Sequence, residues 1–157
     1  MGDWIEPGQK APDFTLAADD GTKVKLSAQK GHPVVLYFYP RDDTPGCTRE
    51  ACAFRDQHLE LKKRGAKIFG VSPDDVASHG RFRDKFHLNF PLLADPDHQV
   101  AEKFGAWREK NLYGKKSMGI QRSTYLIAPE GRVAHVWRKV NVDGHDAQVL
   151  AALDELG

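Results

Sequence analysis

The stretch that decides the fold is Val34-Val35-Leu36-Tyr37-Phe38-Tyr39, six consecutive apolar or aromatic residues followed by Pro40. Valine, tyrosine and phenylalanine favour β-strands, and a run without polar alternation is typical of a strand covered on both faces of its sheet. Proline ends the run because it cannot donate a hydrogen bond to a neighbouring strand. We therefore predict a central buried strand over 34–39.

Apolar spacing on either side of this run predicts further strands and helices. Upstream, 13–16 and 23–26 alternate polar and apolar residues around Asp20-Gly21, which indicates a β-hairpin. Downstream, Ala51, Phe54, Leu59 and Leu61 give the segment after the run a helical spacing. The predicted downstream elements are a helix over 47–64, a strand over 67–71, a helix from 72 to 86, a short helix from 95 towards 104, strands over 123–127 and 133–137, and a terminal helix from 143.

The order of these elements, β-β-β-α-β-α-α-β-β-α, indicates an α/β fold. Strands that alternate with helices build a sheet with a parallel part and helices on both faces, and the last two strands add an antiparallel pair. This order resembles the thioredoxin-like fold with an added N-terminal β-hairpin. We expect a central mixed sheet flanked by helices, with residues 1–157 in a single domain.

Composition and charge exclude several classes of function. Lys and Arg total 23 and Asp and Glu 22, so the net charge of +1 provides no field that would attract nucleic acid or an anionic membrane. The longest apolar run is far shorter than a membrane span. The first residues, Met-Gly-Asp-Trp-Ile-Glu, lack the features of a secretory signal. We therefore expect a cytoplasmic protein with no nucleic-acid or membrane partner.

No motif for a metal or an organic cofactor is present. The seven histidines are scattered, and none forms a His-x-x-x-His or His-Glu-x-x-His pattern. No glycine-rich segment matches a phosphate or dinucleotide loop. We expect neither a metal nor an organic cofactor.

Cys47 lies where the segment after the central strand enters the predicted helix. Unpaired backbone N–H groups and the positive end of the helix dipole favour a thiolate there. Thr44 and Gly46 fit a turn in which a hydroxyl and free N–H groups approach the sulfur, and Pro40 and Pro45 stiffen that turn. The alternative interpretation is that Cys47 is a small buried apolar residue.

Cys52, the second cysteine, follows Cys47 by five residues on the same predicted helix. Helix geometry separates such Cα atoms by about 9 Å, whereas a disulfide needs less than about 7 Å. The two thiols can therefore bond only if the first turns of the helix unwind. The alternative is that Cys52 is simply buried in the helix.

Arg122 is the arginine best placed to stabilise a thiolate. It immediately precedes the predicted strand 123–127, so its guanidinium can project from the edge of the sheet into a neighbouring cleft. A solvated surface arginine is the alternative. Glu50, one helical turn after Cys47, can hold such an arginine or simply interact with the helix dipole.

These residues resemble the active site of peroxiredoxins. The pattern Pro40-x-x-x-Thr44-x-x-Cys47-x-x-Glu50 is similar to the family motif, and 44–52 resembles its bacterioferritin-comigratory, or Q-type, branch. The similarity runs from near the N-terminus to the terminal helix. Further matching motifs are Pro7-Gly8-x-x-Ala11-Pro12-Asp13-Phe14, Trp107-x-Glu109-Lys110, Tyr113-Gly114-Lys115 and Gly119-Ile120-x-Arg122-Ser123-Thr124.

The resemblance implies a thiol peroxidase of the atypical two-cysteine type. Cys47 would be the peroxidatic thiolate that is oxidised to a sulfenic acid, and Cys52 would resolve it as an intramolecular disulfide. The expected substrates are hydrogen peroxide and small organic hydroperoxides. The expected partner is a thioredoxin-type reductant, and members of this branch are often monomeric.

The resemblance also assigns supporting roles. Thr44, Arg122 and the backbone N–H groups of Gly46 and Cys47 would position the peroxide, while Pro40 would cover the site. Glu50 would orient the arginine. Two other functions remain open: a thiol–disulfide oxidoreductase, against which the absent C-x-x-C motif argues, and a redox-sensing or holdase module without peroxide turnover.

Overall fold

The computed structural model describes residues 3–157; Met1 and Gly2, part of the N-terminal segment considered above, lie outside the described residues. Within 3–157, no helix is both long and apolar enough to cross a membrane. The elements in chain order are β1 (Thr15–Ala18), β2 (Lys23–Lys25), a 3₁₀ turn (Leu26–Gln29), β3 (Val34–Phe38), α1 (Pro45–Asp56), α2 (His58–Lys63), β4 (Lys67–Ser72), α3 (Val76–Phe86), β5 (Leu92–Ala94), α4 (Gln99–Lys103), β6 (Trp107–Leu112), β7 (Lys115–Ile120), β8 (Ser123–Ile127), β9 (Val133–Trp137) and α5 (His145–Leu156).

The central strand is β3. It belongs to a seven-stranded sheet with the order β2-β1-β5-β4-β3-β8-β9. β3 runs parallel to β4 and antiparallel to β8, and every residue of β3 is buried. The α/β class, the mixed sheet and the N-terminal hairpin predicted from the sequence are confirmed.

Apolar cores cover both faces of this sheet. Because successive side chains of a strand point to opposite faces, Leu36 and Phe38 pack on one face and Val35 and Tyr37 on the other. The first face also buries Phe104, Tyr125 and the apolar residues of α4. The second face buries apolar residues of α1, α2, α3 and α5. The helix that carries both cysteines therefore packs against the centre of the sheet.

The predicted helix over 47–64 is wrong in its start and in its continuity. α1 begins at Pro45, which suits the first helical position because its missing N–H has no partner there in any case. The chain leaves helical geometry at Gln57, with φ −93° and ψ 9°, and α2 starts at the next residue. Of the two predicted apolar positions beyond the break, Leu61 is buried but Leu59 is 63% exposed.

Two other predicted helices begin later than their apolar pattern suggested. Ser72 completes β4, and α3 begins only after Asp75, whose side chain accepts a hydrogen bond from the Ser78 N–H at 2.8 Å. Asp95 likewise lies ahead of α4, and its carboxylate accepts the N–H groups of Val100 and Ala101. In both cases an aspartate caps the helix from outside it.

The hairpin formed by β6 and β7 and the short strand β5 were not predicted. The hairpin strands carry mostly exposed polar residues, so they lack the alternation that marks a half-buried strand. Tyr113 and Gly114 close the hairpin with positive φ angles of 54° and 77°. The hairpin is followed closely by β8, so residue 122 lies at the start of a strand that pairs with β3.

Gly70 of β4 makes room for an aromatic ring. A Cβ atom at this position would lie 2.8 Å from both Cζ and Oη of Tyr37, which neighbours it across the parallel strand pair. The ring of Tyr37 instead packs against Phe54 of α1, with centroids 5.1 Å apart. The missing side chain thus lets β3 and α1 share a close aromatic contact.

Candidate active site

Cys47 lies in the first turn of α1 and is only 2% exposed. Thr44 is the residue that caps this helix: its carbonyl oxygen accepts the Thr48 N–H at 2.8 Å. The Thr44 hydroxyl donates to the carbonyl oxygen of Arg41 at 2.9 Å, which folds the preceding loop back on itself. The structure therefore places the sulfur at the positive end of α1, as the sequence predicted.

Arg122 reaches this sulfur from a distant part of the chain. Ser123 pairs with Phe38 across β8 and β3, so residue 122 lies beside the end of the central strand. One guanidinium nitrogen of Arg122 lies 3.3 Å from Cys47 Sγ, and the other lies 2.7 Å from Glu50 Oε1. The predicted trio of thiol, guanidinium and carboxylate is thus brought together.

Gly46 allows the guanidinium to come this close. A Cβ atom at residue 46 would lie 3.1 Å from the Arg122 nitrogen that contacts Cys47. Any side chain at this position would press against the guanidinium. The glycine predicted to offer a backbone N–H therefore also provides space for the cation.

Glu50 is a buried carboxyl with one unpaired oxygen. Burial raises its pKa to about 7, although the charge and hydrogen bond of Arg122 act in the opposite direction. Within residues 3–157, Glu50 Oε2 and the hydroxyl of Tyr37 have no hydrogen-bond partner. Burial raises the pKa of Tyr37 as well, and the charge of Glu50 adds to that rise. The buried carboxyl of Glu50 and hydroxyl of Tyr37 near the thiol are therefore poorly solvated.

Arg122 keeps its positive charge in this setting. Burial by itself lowers the pKa of the guanidinium, but the neighbouring Glu50 and Cys47 raise it by more. An arginine between two acids is the arrangement that stabilises a buried thiolate without risk of losing its own proton.

Cys52 lies in the next turns of the same unbroken helix and is half-buried. Both cysteines are free thiols. Pro40 is half-buried and follows β3 by two residues, at the start of the loop that leads to Thr44. Among the described residues, the Thr44 hydroxyl donates to Arg41 and makes no hydrogen bond to the sulfur.

Lys110 is a residue near this site to which the sequence analysis gave no role. Burial lowers the pKa of its ammonium group, the charge of Arg122 lowers it further, and Cys47 raises it. Its aliphatic part lies against Gly119 across the β6–β7 hairpin, 3.4 Å from where a Cβ would be. Lys110 belongs to the motif Trp107-x-Glu109-Lys110, which was the only sequence signal for it, because the polar hairpin gives no sign that this lysine is half-buried.

Comparison with known proteins identifies the family. A family model described as AhpC/TSA family matches residues 7–136. The chain belongs to this family. Peroxiredoxin Bcp of Bacillus subtilis is 53% identical over 152 residues, covering 97% of each chain. Peroxiredoxin Bcp of Escherichia coli K12 is 44% identical over 151 residues, covering 96% of this chain and 97% of that protein.

Solved structures agree with this peroxiredoxin in fold. The bacterioferritin comigratory protein of Xanthomonas campestris, studied for its alkyl peroxide reduction activity, superposes with a TM-score of 0.89 at 46% identity and covers 96% of each chain. Peroxiredoxin Q from Xanthomonas campestris gives similar values. The predicted branch, the thioredoxin-like fold and the prediction of a peroxiredoxin enzyme are confirmed.

Proposed function

We propose that this peroxiredoxin reduces hydrogen peroxide and small organic hydroperoxides with Cys47 as the attacking thiolate. The observation that carries the proposal is the Arg122 guanidinium, which donates to Cys47 Sγ and to the buried Glu50 at the same time. The alkyl peroxide reduction studied in the Xanthomonas campestris relative supports organic hydroperoxides as substrates.

The first chemical step is attack of the Cys47 sulfur on one peroxide oxygen. The S–O bond forms, the O–O bond breaks, and the second oxygen leaves as water or an alcohol after taking a proton. Negative charge develops on the leaving oxygen, so N–H donors at the start of α1 and the Arg122 guanidinium lower the barrier. Thr44 and Pro40, on the loop beside the sulfur, border the approach of the peroxide.

Cys52 completes the cycle. Its sulfur attacks the sulfenic sulfur of Cys47, the S–S bond forms and the S–O bond breaks, and the hydroxyl leaves as water with the Cys52 proton. An intact helix places the two Cα atoms about 9 Å apart, beyond the reach of a disulfide. The first turns of α1 must therefore unwind before this step.

The remaining features of the cycle are also proposals. A thioredoxin-type protein would reduce the Cys47–Cys52 disulfide by thiol exchange. Because both thiols belong to one helix, a monomer is sufficient, and residues 1–157 act as a single domain. Two free thiols suit a cytoplasmic location, where the redox poise keeps thiols reduced.

Mass spectrometry after one equivalent of peroxide tests the proposal. The expected product has lost two hydrogens and has no thiol left to alkylate. The Cys52→Ser variant should instead gain one oxygen on Cys47 and consume one peroxide per chain. Unchanged mass and two free thiols in the treated wild-type protein would contradict the proposal, and favour a protein oxidoreductase or a binding module.

A further inference from the structure

A buried hydrogen-bonded pair, Asp42 with His79, holds the loop that leads to Cys47 and has no part in the chemistry above. His79 of α3 is fully buried, and Asp42 is 8% exposed. Asp42 lies in the loop between β3 and α1, two residues before the helix cap at Thr44. The pair therefore connects the start of α1 to another helix.

The Asp42 carboxylate is saturated with hydrogen bonds. One oxygen accepts from the Tyr39 hydroxyl at 2.6 Å. The other accepts from Ser78 Oγ at 2.8 Å and lies 2.7 Å from His79 Nδ1. The backbone N–H of Asp42 also donates to Asp74 at 2.8 Å. One residue thus fixes this loop through four hydrogen bonds.

His79 bridges Asp42 to the sheet through its two ring nitrogens. Nε2 lies 2.9 Å from the carbonyl oxygen of Leu93 in β5. Nδ1 lies 2.7 Å from the Asp42 carboxylate, which is an acceptor and also receives the Tyr39 and Ser78 hydroxyls. The ring therefore ties the Cys47 loop to α3 and to β5.

The same atoms make a grouping that could suggest a metal site. Ligand atoms of Asp42, Asp74 and His79 lie within 4.8 Å of one another. Each of them is already engaged, since Asp74 accepts the Ser72 hydroxyl and the Asp42 N–H. We assign the grouping to hydrogen bonding, because a metal would have to displace protons that hold the loop.

The position of the pair gives it a consequence for the catalytic cycle. Asp43, directly after the anchor, has φ +56°, and the first hydrogen bond of α1 begins at the next residue, Thr44. The anchor therefore fixes the point from which α1 winds. Loss of the anchor would free this end of the helix and lower the cost of unwinding it.

We propose that Asp42 and His79 are positioning residues that keep α1 wound and thereby set the rate at which Cys52 reaches the oxidised Cys47. This inference rests on the proposed function. The sulfenic acid has two competing fates: attack by Cys52, which gives the disulfide and water, or attack on a second hydroperoxide, which gives a sulfinic acid and an alcohol or water. A tight anchor favours the second fate, and a loosened anchor favours the first.

A pair of substitutions at one position tests the proposal. The His79→Gln side chain places an amide N–H near the former Nε2 and loses the donor to Asp42. The His79→Asn side chain places an amide N–H near the former Nδ1 and keeps that donor. Arg83→Gln is the matched control, because Arg83 lies one turn further on α3 and pairs with Asp19 at 2.8 Å, away from the Cys47 loop.

Mass spectrometry measures the ratio of sulfinic acid to disulfide over a series of peroxide concentrations. Stopped flow measures the rate of disulfide formation. A hydrogen bond to a charged group is worth about a factor of ten in an equilibrium constant, so His79→Gln should need about tenfold more peroxide for half over-oxidation. His79→Asn and Arg83→Gln should stay close to wild type in this ratio, whatever their thermal stability.

Three results would overturn the proposal: a wild-type ratio in folded His79→Gln, the same ratio in His79→Asn as in His79→Gln, or an equal change in Arg83→Gln. If His79→Gln does not fold, Ser78→Ala removes one bond to the same carboxylate. Its ratio should move in the same direction by a smaller factor, and an unchanged ratio counts against the anchor. Failure of the proposed function would look different, since wild type itself would form neither product.

Discussion

The two cysteines lie on one helix but in very different surroundings. Cys47 is buried at the start of α1, 3.3 Å from a guanidinium nitrogen of Arg122. Cys52 is half-buried further along the helix, close to Arg55, whose guanidinium is already bound to Asp56 and to the carbonyl oxygen of Phe86. The hydrogen bond that Arg55 donates to Asp56 raises the pKa of Arg55, while the charge of Cys52 contributes less.

The difference shows that the helix sets the spacing of the thiols, while distant residues distinguish their chemistry. The field at a helix start fades within the first turn, so Cys52 gains little from it. Arg122 comes from a position 75 residues beyond Cys47 and serves only that thiol. This difference supports the proposed roles, with Cys47 as the thiol that reacts with peroxide and Cys52 as the thiol that reacts after the backbone moves.

Replacing each cysteine in turn should produce the largest difference. Cys47→Ser should reduce peroxide consumption to the uncatalysed background, because no nucleophile remains. Cys52→Ser should still consume one peroxide per chain rapidly and then only the slower over-oxidation of the Cys47 sulfenic acid should continue. Peroxide consumption without added reductant measures both, and equal residual activity in the two variants would remove the distinction drawn between the thiols.

Removing the arginine should have the next largest effect. Loss of one donor to a developing negative charge typically slows a reaction by about 10²–10³-fold, and we expect this range for the peroxide step of Arg122→Ala. Arg122→Lys should restore only part of the rate, because an ammonium group lacks the two separate nitrogens with which the guanidinium binds Cys47 and Glu50. Arg132→Ala, at an exposed arginine that donates to the carbonyl oxygen of Gly8, is the control in stopped-flow measurements.

The sequence predicted the central strand, the strand pair 123–127 and 133–137, and the trio of Cys47, Glu50 and Arg122. The strands were found because buried strands have long apolar runs, and the structure brings the three residues of the trio into contact, while their roles stay predictions. The sequence analysis did not predict the break at Gln57 or the β6–β7 hairpin. Gln57 donates to Asp146 of α5, a partner far away in the chain, and a polar hairpin has no apolar periodicity that would reveal it.

The buried anchor at Asp42 and His79 also escaped the sequence analysis. A histidine without a metal-ligand spacing gives no local signal, and its partner lies 37 positions away. Only the fold brings α3 against the loop after β3. Contacts of this kind depend on how elements pack, which residue patterns do not encode.

The Glu50 carboxyl should make the stability of the site depend on pH. Its pKa is about 7 in the folded chain against 4.5 for an ordinary glutamate, so between these values the folded state keeps a proton that the unfolded state loses. The free energy of unfolding should therefore fall by about 3 kcal/mol from this one group as pH rises across that interval.

Urea unfolding of the wild type and of Glu50→Gln at several pH values checks this dependence. The free energy of unfolding of the wild type minus that of Glu50→Gln should decrease as pH rises from 4.5 to 7. Glu60→Gln is the control, because hydrogen bonds from Lys63 and then Arg64 lower the pKa of exposed Glu60, so its contribution changes below pH 4.5 and stays nearly constant across this interval. A constant difference for Glu50→Gln would show that the carboxyl titrates normally.

The smallest expected effect is local and sharpens the comparison of the two thiols. Forming the disulfide should reduce amide protection over residues 47–52, because the helix must unwind there. Amides of α5 should keep their protection and serve as the internal control. Unchanged hydrogen exchange over 47–52 in the oxidised protein would mean that the thiols can bond within an intact helix.

Gly70 affects which residues can pack beneath this site. The ring of Tyr37 occupies the space that a side chain at 70 would fill, and the charges of Glu50 and Cys47 add to the effect of burial in raising the pKa of its hydroxyl. Positions 37 and 70 should therefore covary among relatives, with a larger residue at 70 accompanied by a smaller one at 37. A position away from the sulfur thus restricts which sequences can carry the proposed trio of Cys47, Glu50 and Arg122.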